Sequence, residues 1–546
     1  MAQRVNLDAM IKREDLDISD NDPATVKIGS DLKLAELEST STTFHILRKP
    51  DFQRETSNWS PEKIAELVEN FLDGDLIPSV IVWRSNKSGK LFVIDGAHRL
   101  SALIAWINDD YGDQGISREL FGDQVDDPQH KKIAKKTRDL LVKLGSYQRL
   151  KSYVLNPSAA PDEKALLRAR NMGSISITIQ EVRGDVAKAE RSFLKINQSA
   201  TLIDPTELTM IQARRKPNAI AARALIHAGE GHQYWGSFNE DAQRSIKELA
   251  HAASDDLFRP ILEYPIRTVQ LPAAGLALTP DSLDLVFNLV NSVNKAVDVS
   301  TKAKPGAWRF PTPDGLGQRD LEDDPDGALT TAFVRKVRDA TQRVFGPGKG
   351  SLALHPGVYC YGATGRFLPT AFFAAIEFVQ DLLLHRRFDK FTEARGKFEE
   401  FLIGHRHYVN QIAGTYGAQL RGAPATKVMY DVILDNINLD DAAITAKIQA
   451  EPVLAFIRDI TDEDRQYGRN FSKDTKNTIY LRAALTNELR CGICSARIRA
   501  KTITMDHKDR KEDGGKGTPD NGQIAHPYCN DGYKEKLAHA GITLGA

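Results

Sequence analysis

The spacing of hydrophobic positions predicts regions of different secondary structure along the chain. Two short apolar runs at residues 79–83 and 91–95, and an alternating run at 174–182, are typical of β-strands. From residue 220 to about 467 the apolar positions recur at helical spacing, most clearly at 371–384. The pattern therefore predicts an α/β region followed by a mostly α-helical middle region.

The last part of the chain has a third pattern. Residues 502–506 alternate and include branched side chains, as in a β-strand, and the glycines and proline at 514–519 predict a loop. A short helix can begin at Asn530. A strand, a loop and a helix in this order would bring Asp506, His507 and Asn530 together around one pocket.

Three of the four cysteines of the chain lie between residues 491 and 529. Cys491 and Cys494 are separated by two residues, as are His526 and Cys529, and this spacing lets both members of a pair face one ion. The fourth, Cys360, lies far upstream, so the spacing does not predict a disulfide framework. In a reducing compartment, clustered cysteines more often bind metal. We predict a structural Zn²⁺ site with these two pairs as its ligands.

This tail resembles the HNH, or ββα-metal, endonuclease family in its zinc-knuckle form, over about residues 488–540. The resemblance implies that Asp506 and Asn530 hold a catalytic Mg²⁺ or Mn²⁺ ion, because hard cations prefer oxygen donors. It implies that His507 is the general base that activates water against a phosphodiester. Asn521 would hold the loop or orient His507, and Lys534 would contact a backbone phosphate. The alternative, a zinc-knuckle binding domain without catalysis, would need none of Asp506, His507 and Asn530.

A second candidate site lies where a predicted strand runs into a predicted helix. The strand ends at Asp95, Gly96 follows, and His98 and Arg99 fall in the first helical turn. A glycine lets the backbone approach a ligand, a helix N-terminus offers free N–H groups, and arginine can bind phosphate with two hydrogen bonds. The motif by itself also fits a purely structural turn, so its neighbours decide the interpretation.

Four short motifs give this segment a family context. In order, the chain has Phe-Gln-Arg at 52–54, Ile-Pro-Ser at 77–79, Ile-Asp-Gly-x-His-Arg at 94–99 and Phe-x-x-Ile-Asn at 193–197. This order resembles the ParB/sulfiredoxin-like N-terminal domain of GmrSD-type modification-dependent restriction enzymes and of SspE-like relatives. The resemblance covers about residues 25–235.

The resemblance implies a nucleoside-triphosphate pocket, for GTP, ATP or UTP, that is coupled to DNA cleavage. The residues at the matching positions, which would contact the nucleotide or close its site, are Gln53, Arg54, Asp95, Gly96, His98, Arg99 and Asn197. Ala97 departs from the family pattern, which has glutamine there. Because that amide could orient water or phosphate, the departure bears on hydrolysis more than on binding.

Charge and hydropathy restrict the classes of function. The chain has 73 Lys and Arg and 73 Asp and Glu, so no net charge steers it towards nucleic acid. No apolar run approaches the roughly 20 residues that span a bilayer. The first residues lack the apolar core of a signal peptide. We therefore expect a cytoplasmic protein with no membrane partner.

A chain of 546 residues is expected to form two to four domains. We divide it into an N-terminal arm (1–25), a ParB-like nucleotide-binding sensor domain (26–235), a helical middle and connector (236–475) and an HNH domain (476–546). The expected fold class is thus α+β and multidomain, with a C-terminal zinc-knuckle ββα-metal domain.

Together these interpretations describe a metal-dependent DNA endonuclease of prokaryotic anti-phage defence that an NTP-binding sensor regulates. A modification of the DNA is a candidate for the signal that the sensor detects. Whether the chain forms a homo-oligomer is left open. Two alternatives also stay open. One is a DNA- and nucleotide-binding regulator with a degenerate nuclease tail, and the other is an RNA-directed HNH toxin.

Overall fold

The computed structural model describes residues 4–16, 29–51, 53, 56, 59–200, 206, 209–210, 213–277, 279–298, 319–459 and 471–540. The chain forms two compact units. The first consists of Met1–Arg215 and Glu230–Ser237, and the second of Lys216–Gly229 and Phe238–Ala546. The chain therefore enters the second unit, returns to the first for residues 230–237, and then stays in the second.

A mixed six-stranded sheet forms the centre of the first unit. Its strands are β1 (Arg13–Glu14), β2 (Asp31–Lys33), β3 (Leu47–Pro50), β4 (Val80–Arg84), β5 (Leu91–Asp95) and β6 (Ser176–Glu181), in the spatial order β1-β3-β5-β4-β6-β2. β1, β3 and β5 are mutually parallel, β4 is antiparallel to β5 and parallel to β6, and β2 is antiparallel to β6. The three strands predicted from hydrophobic spacing correspond to β4, β5 and β6.

The near-continuous apolar runs of β4 and β5 are explained by burial on both faces of the sheet. Val82 and Val93 belong to one hydrophobic cluster, whereas Trp83 and Phe92 belong to a second cluster that includes Phe193. A strand covered on both faces needs apolar residues at every position.

The helices of this unit are α1 (Thr42–Ile46), α2 (Pro61–Asp73), α3 (Ala97–Asn108), α4 (Gly115–Phe121), α5 (Pro128–Leu144), α6 (Tyr147–Leu155), α7 (Glu163–Ser174) and α8 (Val186–Ala200).

The segment assigned to an N-terminal arm is, over residues 4–16, part of the core of this unit. Leu7 and Met10 are buried in the main hydrophobic cluster. Asp8 is buried as well, and its carboxylate lies 2.8 Å from Arg13 and 2.6 Å from Lys49. Burial opposes ionisation of Asp8, but the two cations hold its pKa well below the usual range. This buried charge cluster fixes the segment to β3.

The second unit is mostly helical. Its helices up to the C-terminal module are α9 (Pro217–Ile226), α10 (Glu240–Phe258), α11 (Pro280–Asn294), α12 (Ala328–Phe345), α13 (Pro356–Tyr359), α14 (Pro369–Leu384), α15 (Phe388–Gly404), α16 (His407–Tyr416), α17 (Ala423–Asp435) and α18 (Asp441–Ala450). Two short parallel strands, β7 (Ala296–Asp298) and β8 (Arg319–Leu321), pair beside them. Aromatic rings from three helices form its core: Phe378 of α14 stacks on Phe398 of α15 at 5.7 Å and meets Tyr430 of α17 edge-on.

The C-terminal module follows α19 (Lys473–Thr486) in the same unit. An antiparallel hairpin, β9 (Thr504–His507) with β10 (Gly522–Ala525), leads into a π-helical turn at Cys529–Tyr533 and then into α20 (Lys534–His539). The predicted strand and helix of the tail are therefore present, each displaced by a few residues. Among the described residues no helix has both the length and the apolar character needed to cross a bilayer.

Candidate functional site

Four buried side chains of the C-terminal module converge on one point. The ligand atoms of Cys491, Cys494, His526 and Cys529 all lie within 4.8 Å of one another. The Nδ1 atom of His526 lies 3.4 Å from the sulfur of Cys494 and 3.9 Å from that of Cys529. Zn²⁺ bonds of about 2.0–2.3 Å in a tetrahedron separate the ligand atoms by roughly 3.4–3.8 Å, so the arrangement suits that ion.

Local hydrogen bonds explain how these four residues meet. The N–H of Cys491 donates to Ala496 O, and the N–H of Ser495 donates to Cys491 O, which closes the first pair into a tight turn. The Nε2 atom of His526 lies 3.1 Å from the carbonyl oxygen of Arg497. Because a carbonyl oxygen can only accept, Nε2 carries the proton and Nδ1 presents its lone pair to the cluster.

The electrostatics of the cluster also favour a cation. Burial raises the pKa of the Cys494 thiol to about 12 and lowers the pKa of His526. A buried thiolate needs a neighbouring positive charge to stabilise it, and a divalent metal ion supplies that charge. The donor set of three sulfurs and one imidazole nitrogen fits Zn²⁺.

Helix α15 packs directly behind the cysteine turn. A side chain at Gly396 would place its Cβ 2.9 Å from the carbonyl oxygen of Cys494, so only glycine permits this approach. One turn away, the buried carboxylate of Glu399 accepts from Arg395 Nε at 3.0 Å and from the N–H of Arg497 at 2.9 Å. The metal-ligand cluster is thus built onto the helical part of the unit.

Asp506 lies at the centre of the hairpin and is almost completely buried. Its Oδ2 accepts a hydrogen bond from Gln523 Nε2 at 2.8 Å, and Gln523 is its register partner on β10. The ammonium group of Lys534 lies 3.1 Å from Oδ1 and 3.0 Å from Oδ2, and it also donates to the carbonyl oxygen of His507. Lys534, which the sequence assigned to a phosphate contact, therefore contacts Asp506 in this structure.

His507 is the last residue of β9, and Asn530, in the turn at Cys529–Tyr533, contacts the same strand. His507 is partly exposed, and its register partner on β10 is Gly522, which has no side chain to cover it. The amide nitrogen of Asn530 donates to Met505 O and to Thr504 Oγ1, each at 3.3 Å. Asp506 and His507 are therefore neighbours on β9, and the amide of Asn530 contacts the two residues before them.

Asn521 connects the two ends of the loop between β9 and β10. Its Oδ1 accepts from the N–H of Asp509 at 2.7 Å, and its Nδ2 donates to Asp509 O and Lys516 O. These contacts fit the first of its two assigned roles, which is to hold the loop.

The N-terminal candidate site lies at the junction of β5 and α3. Gly96 has a φ of 93°, and a Cβ there would lie 3.0 Å from Val80 Cγ2, so both its conformation and its surroundings require glycine. No side chain caps the N-terminus of α3, and the partial positive charge of a helix N-terminus attracts anions. Arg99 donates to Asp95 Oδ2 at 2.9 Å and to Ser79 O at 3.0 Å.

The other residues assigned to the nucleotide differ in how they are placed. His98 stacks on Trp59 with ring centroids 5.8 Å apart. Gln53 is buried, and its side-chain oxygen has no hydrogen-bond partner in the part of the chain that the structure describes. Arg54 lies outside the described residues. Asn197 belongs to α8, but its side chain also falls outside them.

Two neighbours of these sites were missed from the sequence. Gln523 gives no signal of its own, because its contact with Asp506 follows from the hairpin register. Trp59 lies just downstream of the Phe-Gln-Arg motif, but an aromatic residue before a helix is more often part of a core, so the pattern alone did not indicate its stacking on His98.

Comparison with known families agrees with both resemblances. The N-terminal domain of GmrSD restriction endonuclease matches residues 34–212, and the HNH endonuclease domain matches residues 491–536. No curated protein and no solved structure matches the chain. The α+β fold class, with its mixed sheet and its C-terminal HNH domain, is confirmed.

Restriction endonuclease domains imply DNA as the substrate. The second match contains all four residues of the Cys/His cluster, together with Asp506, His507 and Asn530. With these two matches in one chain, the protein is similar to GmrSD-like two-domain restriction proteins, and its C-terminal module is similar to the HNH endonuclease domain.

Proposed function

We propose that the protein is a DNA endonuclease of phage restriction whose cleavage requires a divalent metal ion and is regulated by a nucleoside triphosphate. The observation that carries the nuclease part is that β9 bears Asp506 and His507 and is contacted by Asn530, in the module that also holds the buried Cys/His cluster. A binding knuckle would need the cluster but not these three residues.

Each metal would have its own set of residues. Cys491, Cys494, His526 and Cys529 would hold Zn²⁺ and keep the module folded. Asp506 and the amide oxygen of Asn530 would hold Mg²⁺ or Mn²⁺. When bound, that ion polarises the phosphoryl oxygen and stabilises the leaving oxygen.

His507 would act as the general base. Its ring is partly exposed at the end of β9, where Gly522 opposite and the nearby Gly517 leave room for a phosphodiester. Imidazole titrates near neutral pH and can therefore take a proton from the attacking water. Asn521 would keep the loop beside the ring in place.

The N-terminal unit would bind the nucleotide at the junction of β5 and α3. The N-terminus of α3, which no side chain caps, and the guanidinium of Arg99 suit a phosphate, and Gly96 allows it to approach the backbone. Gln53, Arg54, Asp95, His98 and Asn197 would complete the site. Nucleotide binding would then shift the nuclease between inactive and active states.

The nuclease proposal is tested by cleavage of supercoiled plasmid and of structured RNA, with Mg²⁺ or Mn²⁺ and with a chelator. We expect metal-dependent cleavage of DNA, and a loss of about 10²-fold or more in H507A. The matched control is H539A, because His539 is exposed on α20.

Two outcomes would reject the proposal, and a third would reject only the role of His507. Uncut DNA under every condition, with and without each nucleotide, would indicate a binding regulator. Cleavage of RNA alone would indicate an RNA-directed toxin. Undiminished cleavage by H507A would exclude His507 as the base.

The nucleotide proposal is tested by calorimetric titration with ATP, GTP and UTP. We expect at least one of them to bind and R99A to lose that binding, whereas R149A should bind normally because Arg149 is exposed on α6. Cleavage of modified and unmodified DNA with each nucleotide then tests the regulation. Equal affinity of R99A and the unsubstituted protein would exclude this site.

A further inference from the structure

Aspartates lie at the carboxyl ends of three adjacent parallel strands of the N-terminal sheet: Asp15 follows β1, Asp51 follows β3 and Asp95 is the last residue of β5. Continuing the registers of β1 with β3 and of β3 with β5 places Asp15, Asp51 and Asp95 side by side at the carboxyl edge of the sheet. The N–H of Asp51 donates to Glu14 O at 3.1 Å, as this register requires. Ligands of such sheets bind at the carboxyl ends of parallel strands, and the proposed nucleotide site begins directly after Asp95.

Two of these aspartates have basic partners from far downstream in the chain. The Nε2 atom of His232 lies 2.8 Å from Asp51 Oδ1, and the guanidinium of Arg215 lies 3.4 Å from Asp15 Oδ2. Both basic residues belong to the first unit. The third aspartate, Asp95, has its partner in Arg99 on the next helix.

Two of these carboxylates, those of Asp15 and Asp51, are close enough to affect one another. Burial and the charge of Asp51 raise the pKa of Asp15, whereas Arg215 and Arg214 act in the opposite direction. An anionic triphosphate placed beside these groups would add to the repulsion. Arg215 and Arg99, and His232 when its ring is protonated, reduce that cost.

We propose that His232 and Arg215 are positioning residues of the nucleotide site, which engage Asp51 and Asp15 so that an anionic triphosphate can bind beside Gly96 and Arg99. This inference rests on the nucleotide binding proposed above. It assigns a role to two residues downstream of the four N-terminal motifs, the last of which ends at residue 197.

The place of His232 in the chain gives this contact a consequence for regulation. His232 lies in the eight-residue stretch Glu230–Ser237, and the residues on both sides of that stretch belong to the second unit. The stretch is held to the first unit by the N–H of Gly231, which donates to Leu120 O at 2.8 Å, and by the buried ring of Trp235. Nucleotide binding should therefore stabilise a segment that is covalently joined at both ends to the unit carrying the nuclease.

The test uses the full-length chain and calorimetric titration with ATP, GTP and UTP. We expect H232Q and R215M to weaken nucleotide binding about tenfold, because each removes a basic group from beside a carboxylate near the phosphates. The double variant D51N/H232Q should recover most of that affinity, because it removes the charge together with its partner. R149A is the control, and circular dichroism verifies the fold of each variant.

Hydrogen exchange provides a second readout. The bound nucleotide should slow exchange of the Gly231 amide in the unsubstituted protein and have a smaller effect in H232Q. If R99A loses binding but H232Q and R215M bind normally, this inference is rejected and the proposed nucleotide site stands. If D51N/H232Q binds as weakly as H232Q, charge compensation at Asp51 is rejected. If the unsubstituted protein binds no nucleotide, both proposals fail.

Discussion

The ammonium group of Lys534 forms a buried ion pair with the carboxylate of Asp506, at 3.0 and 3.1 Å from its two oxygens. The π-helical turn at Cys529–Tyr533 lies immediately before Lys534. Asn530, within that turn, contacts the same strand, β9. The turn therefore brings an amide and an ammonium group to one strand end. Lys534 supplies the positive charge that Asp506 needs when no divalent ion is bound.

We predict that K534M lowers the free energy of unfolding of the C-terminal module by about 3 kcal/mol, because it leaves a buried carboxylate without its cation. Urea denaturation of K534M and of the double variant D506N/K534M measures this cost. The double variant should be more stable than K534M, since it removes both charges. Equal unfolding midpoints for K534M and the unsubstituted protein would contradict the prediction.

C494A should lose the zinc and destabilise the C-terminal module, because the remaining ligands cannot complete a tetrahedral site. Elemental analysis of the purified protein measures the metal content. C360A is the matched control: Cys360 is also buried but lies outside the cluster, so this variant should retain the full metal content. Unchanged zinc in C494A would remove Cys494 from the ligand set.

Acidification should destabilise the second unit through His355. Burial, together with the charges of Arg499 and Arg497, lowers the pKa of His355 to about 3. Between that value and the ordinary pKa of about 6.5, the unfolded chain binds a proton that the folded chain does not, so stability is present at neutral pH and decreases as the pH falls.

From pH 7 to pH 5 this contribution amounts to roughly 2 kcal/mol. The measurement is urea unfolding at a series of pH values for the unsubstituted protein and for H355L, which has no titrating ring. The difference between the two curves should decrease towards acidic pH. A constant difference would show that His355 does not titrate on unfolding.

G96A should destabilise the first unit more than G89A does. Both glycines have positive φ, 93° for Gly96 and 69° for Gly89, so alanine costs on the order of 1 kcal/mol at either position. Only at Gly96 would the new Cβ also meet Val80 Cγ2, at 3.0 Å, whereas nothing lies within 4 Å of the corresponding atom at Gly89. Thermal unfolding of both variants tests this, and equal losses would contradict it.

Much of the sheet could be predicted from the sequence, because the apolar runs of β4 and β5 mark strands that are covered on both faces. The place of residues 4–16 could not. Their burial depends on Asp8 meeting Lys49, which is forty-one positions away in the chain. A contact between residues so far apart cannot be predicted from the local spacing of hydrophobic and polar residues.

The same distinction applies to the candidate sites. The four Cys/His residues could be identified because each pair has a spacing that one metal ion requires. The partner of Lys534 could not, because a lysine on a helix can point to solvent, to phosphate or to a carboxylate. Its contact with Asp506 follows from the geometry of the preceding turn and of the hairpin.

The return of residues 230–237 to the first unit means that no single cut of the polypeptide separates the two halves of this protein. Cleavage after Arg215 would remove His232 and Trp235 from the first unit. Cleavage after Ser237 would remove α9 from the second unit. Recombination that exchanged one half between related genes would have to splice at three places, so the two halves are expected to be inherited together.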